Sequence, residues 1–175
     1  MPMSPYLAGL MFGDGTCFRG KNRAYGVWID QQERNYRIVD EAEIELKRLK
    51  LNVHKYRFND KVRALVYNKE LFNEFKVLRG DAASFFESLN NKHKWDFLSG
   101  LFDAEGTVTD RLVVYNSDLK LLEVVQKFLL QQGATAYLYR FGKVWGVQVY
   151  RKQSVALLYA RMNCVKLKKK IVSSG

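Results

Sequence analysis

Apolar and polar positions along this chain run through one pattern twice. In the first half, Tyr6-Leu7-Ala8-Gly9-Leu10-Met11-Phe12-Gly13 reads as a short apolar helix, followed by a short strand from Thr16. A polar turn at Gly20-Lys21-Asn22 leads to an apolar strand over Ala24–Ile29. Val39, Ala42, Leu46 and Leu49 then recur at helical spacing. Strands over Val53–Phe58 and Val62–Tyr67 are joined at Asn59-Asp60. In them Lys55 and Arg57 alternate with Tyr56 and Phe58, and Lys61 and Arg63 with Val62 and Ala64. Such alternation predicts one packed face and one charged face. Helical segments fill Lys69–Leu89.

The second half repeats the order. A motif helix precedes a strand over Arg111–Tyr115 and a helix carrying Leu121, Leu122, Val125, Phe128 and Leu129 on one side, stopped by Gly133. Strands Ala134–Phe141 and Val144–Arg151 turn at Gly142, a helix spans Gln153–Met162, and the basic tail Lys166-Leu167-Lys168-Lys169-Lys170 follows. Each half reads αββαββα. The expected class is α+β: two pseudo-symmetric halves, residues 1–90 and 91–175, separated by the polar stretch Asn90–Lys94.

The repeat is sharpest in the motif helices. Tyr6–Thr16 returns half a chain later as Phe97–Thr107, with Ala8, Gly9 and Gly13 against Ser99, Gly100 and Ala104. Small residues along one side let two helices approach backbone to backbone, and the natural partner of each helix is its copy. That packing buries Leu7, Leu10, Leu98 and Leu101 and brings together the helix ends carrying Asp14 and Glu105, each followed by a glycine that permits the turn out of the helix. Two carboxylates at two negative helix ends repel each other, and a divalent cation relieves the conflict. The carboxylates and the free terminal carbonyls of Gly13 and Ala104 are hard oxygen donors suited to Mg2+. Metals so held polarise a phosphodiester, activate water and stabilise the leaving oxygen. A single acid in such a place would read as a solvated or capping residue; its duplication in the same context is what points to chemistry.

Charge suggests a polyanionic partner, the bland alternative being a soluble basic protein with none. There are 29 Lys and Arg against 18 Asp and Glu, a net charge of +11. Nucleic acid is the first choice, because phosphate contacts release condensed counterions. An anionic membrane surface is the weaker alternative, since no basic amphipathic helix stands out. No apolar run approaches about 18 residues and the start shows no basic region followed by an apolar stretch, so neither a span nor a signal peptide is expected. Cys17 and Cys164, with isolated His54 and His93, have no zinc-ligand spacing, and both thiols are expected to be reduced in an intracellular protein.

At these residues the chain resembles the LAGLIDADG homing endonucleases. Leu7, Ala8, Gly9, Leu10, Asp14 and Gly15 match the motif in the first copy. Leu98, Gly100, Leu101, Asp103, Ala104 and Gly106 match it in the second, with Glu105 in place of the final Asp. The resemblance implies that the motif helices form the interface between halves and that the two sheets make a saddle on double-stranded DNA. It further implies that Asp14 and Glu105 bind the catalytic metals, Mg2+ with Mn2+ substituting and Ca2+ binding without cleavage. Members cut long asymmetric sites and leave 3′ overhangs. A polar residue at the end of the second strand of each half organises active-site water in the family, which points to Gln31 and Asn116. Gln32 stands where some relatives carry an active-site lysine; Lys166 is the substitute, unless it belongs to a solvated tail.

For DNA contact the basic turn and strand positions are Arg19, Lys21, Arg23, Lys55, Arg57, Lys61 and Arg63, joined by Trp28, Asp30, Arg111, Tyr115, Tyr139 and Lys143. Asp30 is either a cytosine acceptor or an exposed strand end. Tyr137, Tyr139 and Trp145 are either face or core, and Arg140 lies out of phase with its counterpart Phe58. The leading expectation is a metal-dependent endonuclease, monomeric because both halves lie in one chain. An intron-encoded origin in a prokaryotic cytoplasm fits best, with an organelle as the other setting. The rivals are a cleavage-inactive RNA maturase or DNA-binding regulator on the same scaffold, and an intein-borne domain, against which the early first motif argues.

Overall fold

The computed structural model describes residues 3–21 and 24–172, with side chains described as far as Lys168. Helix α1 spans Pro5–Asp14. Ser4 caps it by accepting from the Leu7 N–H at 3.2 Å, and Pro5 fills the first turn, where no N–H is required. Strands β1 (Gly15–Arg19) and β2 (Tyr25–Gln32), a single 3-10 turn, helix α2 (Tyr36–Arg48), strands β3 (His54–Phe58) and β4 (Lys61–Tyr67) and helix α3 (Lys69–Gly80) complete the first αββαββα succession. Helix α4 (Ala82–Ser88) connects to the second: α5 (Asn91–Glu105), β5 (Gly106–Val108), β6 (Leu112–Asn116), α6 (Leu119–Gln131), β7 (Tyr137–Phe141), β8 (Val144–Val149) and α7 (Lys152–Arg161). Helix α8 (Val165–Val172) follows.

The two sheets are antiparallel and share one order, β1-β2-β4-β3 and β5-β6-β8-β7. Among the described residues the fold is thus the α+β duplication expected, with strand edges within three residues of those read from the pattern. Two segments differ. The polar stretch Asn90–Lys94 is the start of α5, with the Asn90 side chain accepting from the His93 N–H at 2.9 Å. The basic segment from Lys166 onward is helical; Leu167 is buried and docks it on the core.

Helices α1 and α5 pack side by side at the centre. A methyl group on Gly9 would strike the backbone carbonyl of Phe97, and one on Gly100 would strike that of Tyr6. The glycines are therefore reciprocal, each making room for the other helix's backbone. Leu7, Leu10, Leu98 and Leu101 are all at most 1% exposed, as the packing argument required. Each sheet packs one face on helices: Val27, Ile29, Val62, Ala64 and Val66 are buried in the first, and Leu112, Val114, Val147 and Val149 in the second. Helix α4 sends Phe86 against Phe97 of α5 and Phe128 of α6, tying the connector into the second half's core.

Candidate active site

Helices α1 and α5 end on Asp14 and Glu105, and the chain turns directly into β1 and β5. The N–H of Gly15 still bonds to Met11 and that of Gly106 to Phe102, so these are the last regular helix bonds. The carbonyls beyond them, including those of Gly13 and Ala104, have no helical donor. The helix ends are close: a methyl on Gly13 would collide with Cβ of Ala104 and press on Cγ of Glu105. The two acids are half-buried. Burial, followed by the charge of Asp14, pushes Glu105 up to about 6. Burial also raises Asp14, against the opposing pull of Lys166 and the hydrogen bond from Gln31.

Gln31, buried at the end of β2, donates from Nε2 to the Asp14 carboxylate, so it stands beside the acid as expected. Asn116 occupies the matching place at the end of β6 but is used differently. Its Oδ1 accepts from the Asp118 N–H at 2.9 Å, and it shares a cleft with Glu105, Gly13, Phe12 and Arg79. Lys166 is brought in by α8. Its amine donates to the carbonyls of Ala104 at 3.1 Å and Gly106 at 2.8 Å. The tail alternative is thereby overturned for Lys166, and the Ala104 carbonyl expected to face metal is shared with an ammonium group. Desolvation lowers the pKa of Lys166, while Asp103, Asp14 and Glu105 hold it up.

Sequence reasoning missed what anchors this lysine. Asp103, wholly buried, accepts from the N–H groups of Val165 and Lys166, both at 2.9 Å, and from the Tyr6 hydroxyl at 2.8 Å. Ser99 donates to the Trp95 carbonyl and accepts from the Asn163 N–H. Asp103 was visible as a motif match, but its counterpart in the first copy is Phe12, so nothing in the repeat marked it. Arg79 was missed as well: at the end of α3 it donates to the Gly15 carbonyl at 3.1 Å, as Lys166 does to Gly106 in the other half.

The expected DNA-contact residues separate into two faces. Strand register puts Trp28, Asp30, Lys61 and Arg63 on the open face of the first sheet, opposite in direction to buried Val27, Ile29, Val62 and Ala64. Lys55 and Arg57 do not join them. In register with Ala64 and Val62, they lie on the helix side, Lys55 paired with Asp40 at 2.9 Å and with Glu43, and Arg57 with Glu33 at 3.3 Å. Tyr56 and Phe58, expected to pack inward, take the open face instead. Arg19 is also on the helix side, its guanidinium 5.3 Å from the ring of Tyr25, which packs on Phe72. Asp30 is an ion-pair partner of Arg63 at 2.6 Å, not a bare strand end. Tyr115 and Tyr139 share the open face of the second sheet and a hydroxyl contact of 3.2 Å, joined there by Tyr137. Trp145 and Arg140 lie opposite each other on the helix side, so Arg140 is indeed out of phase with Phe58. Arg111 pairs with its neighbour Asp110 at 3.1 Å, Lys21 and Lys143 sit exposed in turns, and Arg23 lies outside the described residues.

Cys17 and Cys164 are both free thiols, and burial pushes Cys164 up to about 12. Among the described residues no cluster of three or more His, Cys, Asp or Glu side chains is placed to hold a metal. A cation at this centre would therefore depend on the two carboxylates and on backbone oxygens. Among those residues, too, no helix is long and apolar enough to cross a membrane.

Two helices ending in acids thus meet between duplicated sheets. A family model described as a LAGLIDADG-like domain matches residues 93–171. The homing endonuclease I-DmoI, solved in complex with DNA and Mn, superposes with a TM-score of 0.73 at 21% identity, over 92% of this chain and 96% of that one. Full-length DUF199/WhiA from Thermatoga maritima superposes with a TM-score of 0.65 at 13% identity, over 99% of this chain and 61% of that one. An uncharacterized protein of Methanocaldococcus jannaschii is 30% identical over 132 residues, 73% of this chain and 48% of that protein. The chain thus spans about half the length of the curated relative it matches. Residues 93–171 are thus similar to a LAGLIDADG-like domain, and the chain, with both motif helices in one polypeptide, shares the fold of I-DmoI.

Proposed function

We propose that this protein is a site-specific endonuclease of double-stranded DNA, a homing endonuclease that hydrolyses one phosphodiester in each strand of a long asymmetric site and leaves 3′ overhangs. The observation that carries the reading is the meeting of Asp14 and Glu105 at two touching helix ends, both raised by burial and one by the other. Two desolvated carboxylates without a cation between them are costly, and the backbone oxygens beside them are hard donors. The donor set therefore fits a divalent cation: Asp14 and Glu105 would hold it, with the Gly13 carbonyl and, in competition with Lys166, that of Ala104. Bound there, Mg2+ would supply Lewis-acid stabilisation and an activated water. Mn2+ is the expected substitute, and Ca2+ the cation that binds without supporting cleavage.

The chain's own residues have distinct tasks around it. Gln31 fixes the rotamer of Asp14 and leaves its other oxygen free. Lys166 places a positive charge beside both acids, where negative charge grows on a phosphate under attack. The +11 net charge draws the polyanion to the saddle. The protein acts as a monomer inside a prokaryotic cell, its gene carried by an intron.

The test is incubation with a random-sequence duplex library in Mg2+ and in Ca2+. Cleaved products in the first and retained duplexes in the second are expected. Asp14→Asn and Glu105→Gln should each abolish double-strand cutting while leaving retention in Ca2+ within about threefold. Retention without cleavage by the unaltered protein would make it a binder on this scaffold, either a regulator or a maturase.

A further inference from the structure

The open faces of the two sheets carry clustered aromatic rings. In the first, Phe18 and Trp28 pack with ring centroids 4.8 Å apart, and Tyr56 and Phe58 at 5.9 Å. Arg63 sits between Trp28 and Phe58, 4.4 and 4.5 Å from their centroids, and its charge is met by Asp30 at 2.6 Å. In the second, Tyr115 lies against Tyr139 and Phe141, with centroids 6.5 and 5.8 Å away, and Tyr137 stacks on Tyr150 at 5.3 Å. Tyr67 is 55% exposed and Phe141 63%.

These rings are laid down across glycines. Phe18 covers Gly26 in register, so that a methyl on Gly26 would run into its ring. Tyr115 and Tyr139 both flank Gly146, where an added methyl would meet their rings at 3.1 and 3.2 Å. A ring over a glycine presents a flat apolar shelf instead of a side-chain tip. The same device recurs on both sheets.

In the major groove guanine is read by a free Arg or Lys fork, cytosine by a free carboxylate and adenine by an amide, whereas thymine offers its C5 methyl to apolar contact. Here Arg63 and Asp30 satisfy each other, and Lys61 and Gln148 are polar side chains that share these faces with the rings. We propose that the two open faces read thymine methyl groups, and that the duplex bound is rich in A·T pairs where the sheets enter its groove. This rests on the duplex-binding reading above and names the chemical feature that reading leaves open.

The experiment selects duplexes from a random library in Ca2+, then rebuilds the best site with every thymine replaced by uracil, which removes the methyl and keeps the pairing. The selected sites should be rich in A·T pairs, and the uracil duplex should bind at least tenfold more weakly. Tyr67→Ser and Phe141→Ser, at exposed positions that leave the fold intact, should shrink that difference to threefold or less. Asp30→Asn should free Arg63 and raise tolerance of guanine at one position. Uracil and thymine duplexes bound within twofold of each other, or G·C-rich selected sites, would overturn the proposal while leaving duplex binding standing. If no duplex is retained from the library, the duplex reading falls and this inference with it.

Discussion

Asp103 and Lys166 are joined through the backbone and work through the side chain: Asp103 accepts the Lys166 N–H at 2.9 Å, and the Lys166 amine then reaches the Gly106 carbonyl at 2.8 Å. The buried motif carboxylate thus sets the start of α8, and the start of α8 sets the Lys166 ammonium beside both acids. Asp103→Ala would leave the N–H groups of Val165 and Lys166 and the Tyr6 hydroxyl without their acceptor. A loss of about 2–4 kcal/mol is expected in urea unfolding. Lys166→Met keeps those backbone bonds and should cost little stability while slowing cleavage of both strands. An unfolding midpoint for Lys166→Met as low as that of Asp103→Ala would show that the lysine is a structural strut.

The reciprocal glycines give a prediction with the sign opposite to the usual one. Gly→Ala inside a helix ordinarily stabilises by about 1 kcal/mol. At Gly9 or Gly100 the added methyl meets a backbone carbonyl that cannot rotate away, so Gly9→Ala or Gly100→Ala should instead destabilise by about 3 kcal/mol. Thermal unfolding of each variant beside the unaltered protein decides the sign.

Protonation at the acid pair links stability to pH. Glu105 is raised from 4.5 to about 6 in the folded protein, so across that window the native state holds more protons than the unfolded chain. Stability contributed by this group is therefore full below about 4.5 and is lost as pH rises through about 6. Asp14 moves in the same direction. Metal-free protein should lose melting temperature over this range relative to Glu105→Gln, which has no such titration, and added Ca2+ should remove the difference. Parallel curves for the two proteins would show that Glu105 is not desolvated.

Gln31 and Asn116 occupy matching strand ends but only Gln31 bonds to its acid. The two strands of the target should be nicked at different rates. Gln31→Ala should slow one nick by about tenfold or more, and Asn116→Ala should change the other by less than threefold. Duplex labelled on each strand in turn, sampled over time, separates the two rates. Equal effects of the two variants would mean that the amides do the same work despite their different bonds.

Much of this was legible in the chain itself. The duplicated small residues announced two helices in backbone contact, the acids at their ends followed from the same repeat, and the αββαββα order followed from apolar spacing. What the repeat could not mark were Asp103, whose counterpart in the first copy is Phe12, and Arg79, which is tied to its carbonyl from a distant helix. The faces of β3 were also misjudged. Alternation divides a strand into two sides, but it does not say which side meets the helices. The rule that apolar residues face inward failed because Asp40 and Glu43 on α2 supply partners for Lys55, while Tyr56 and Phe58 find theirs on the open face. Local sequence thus determined the elements and the two carboxylates. The tertiary structure decided which charges are free, because a charge's partner is set by the helix packed against it and not by its neighbours in the chain.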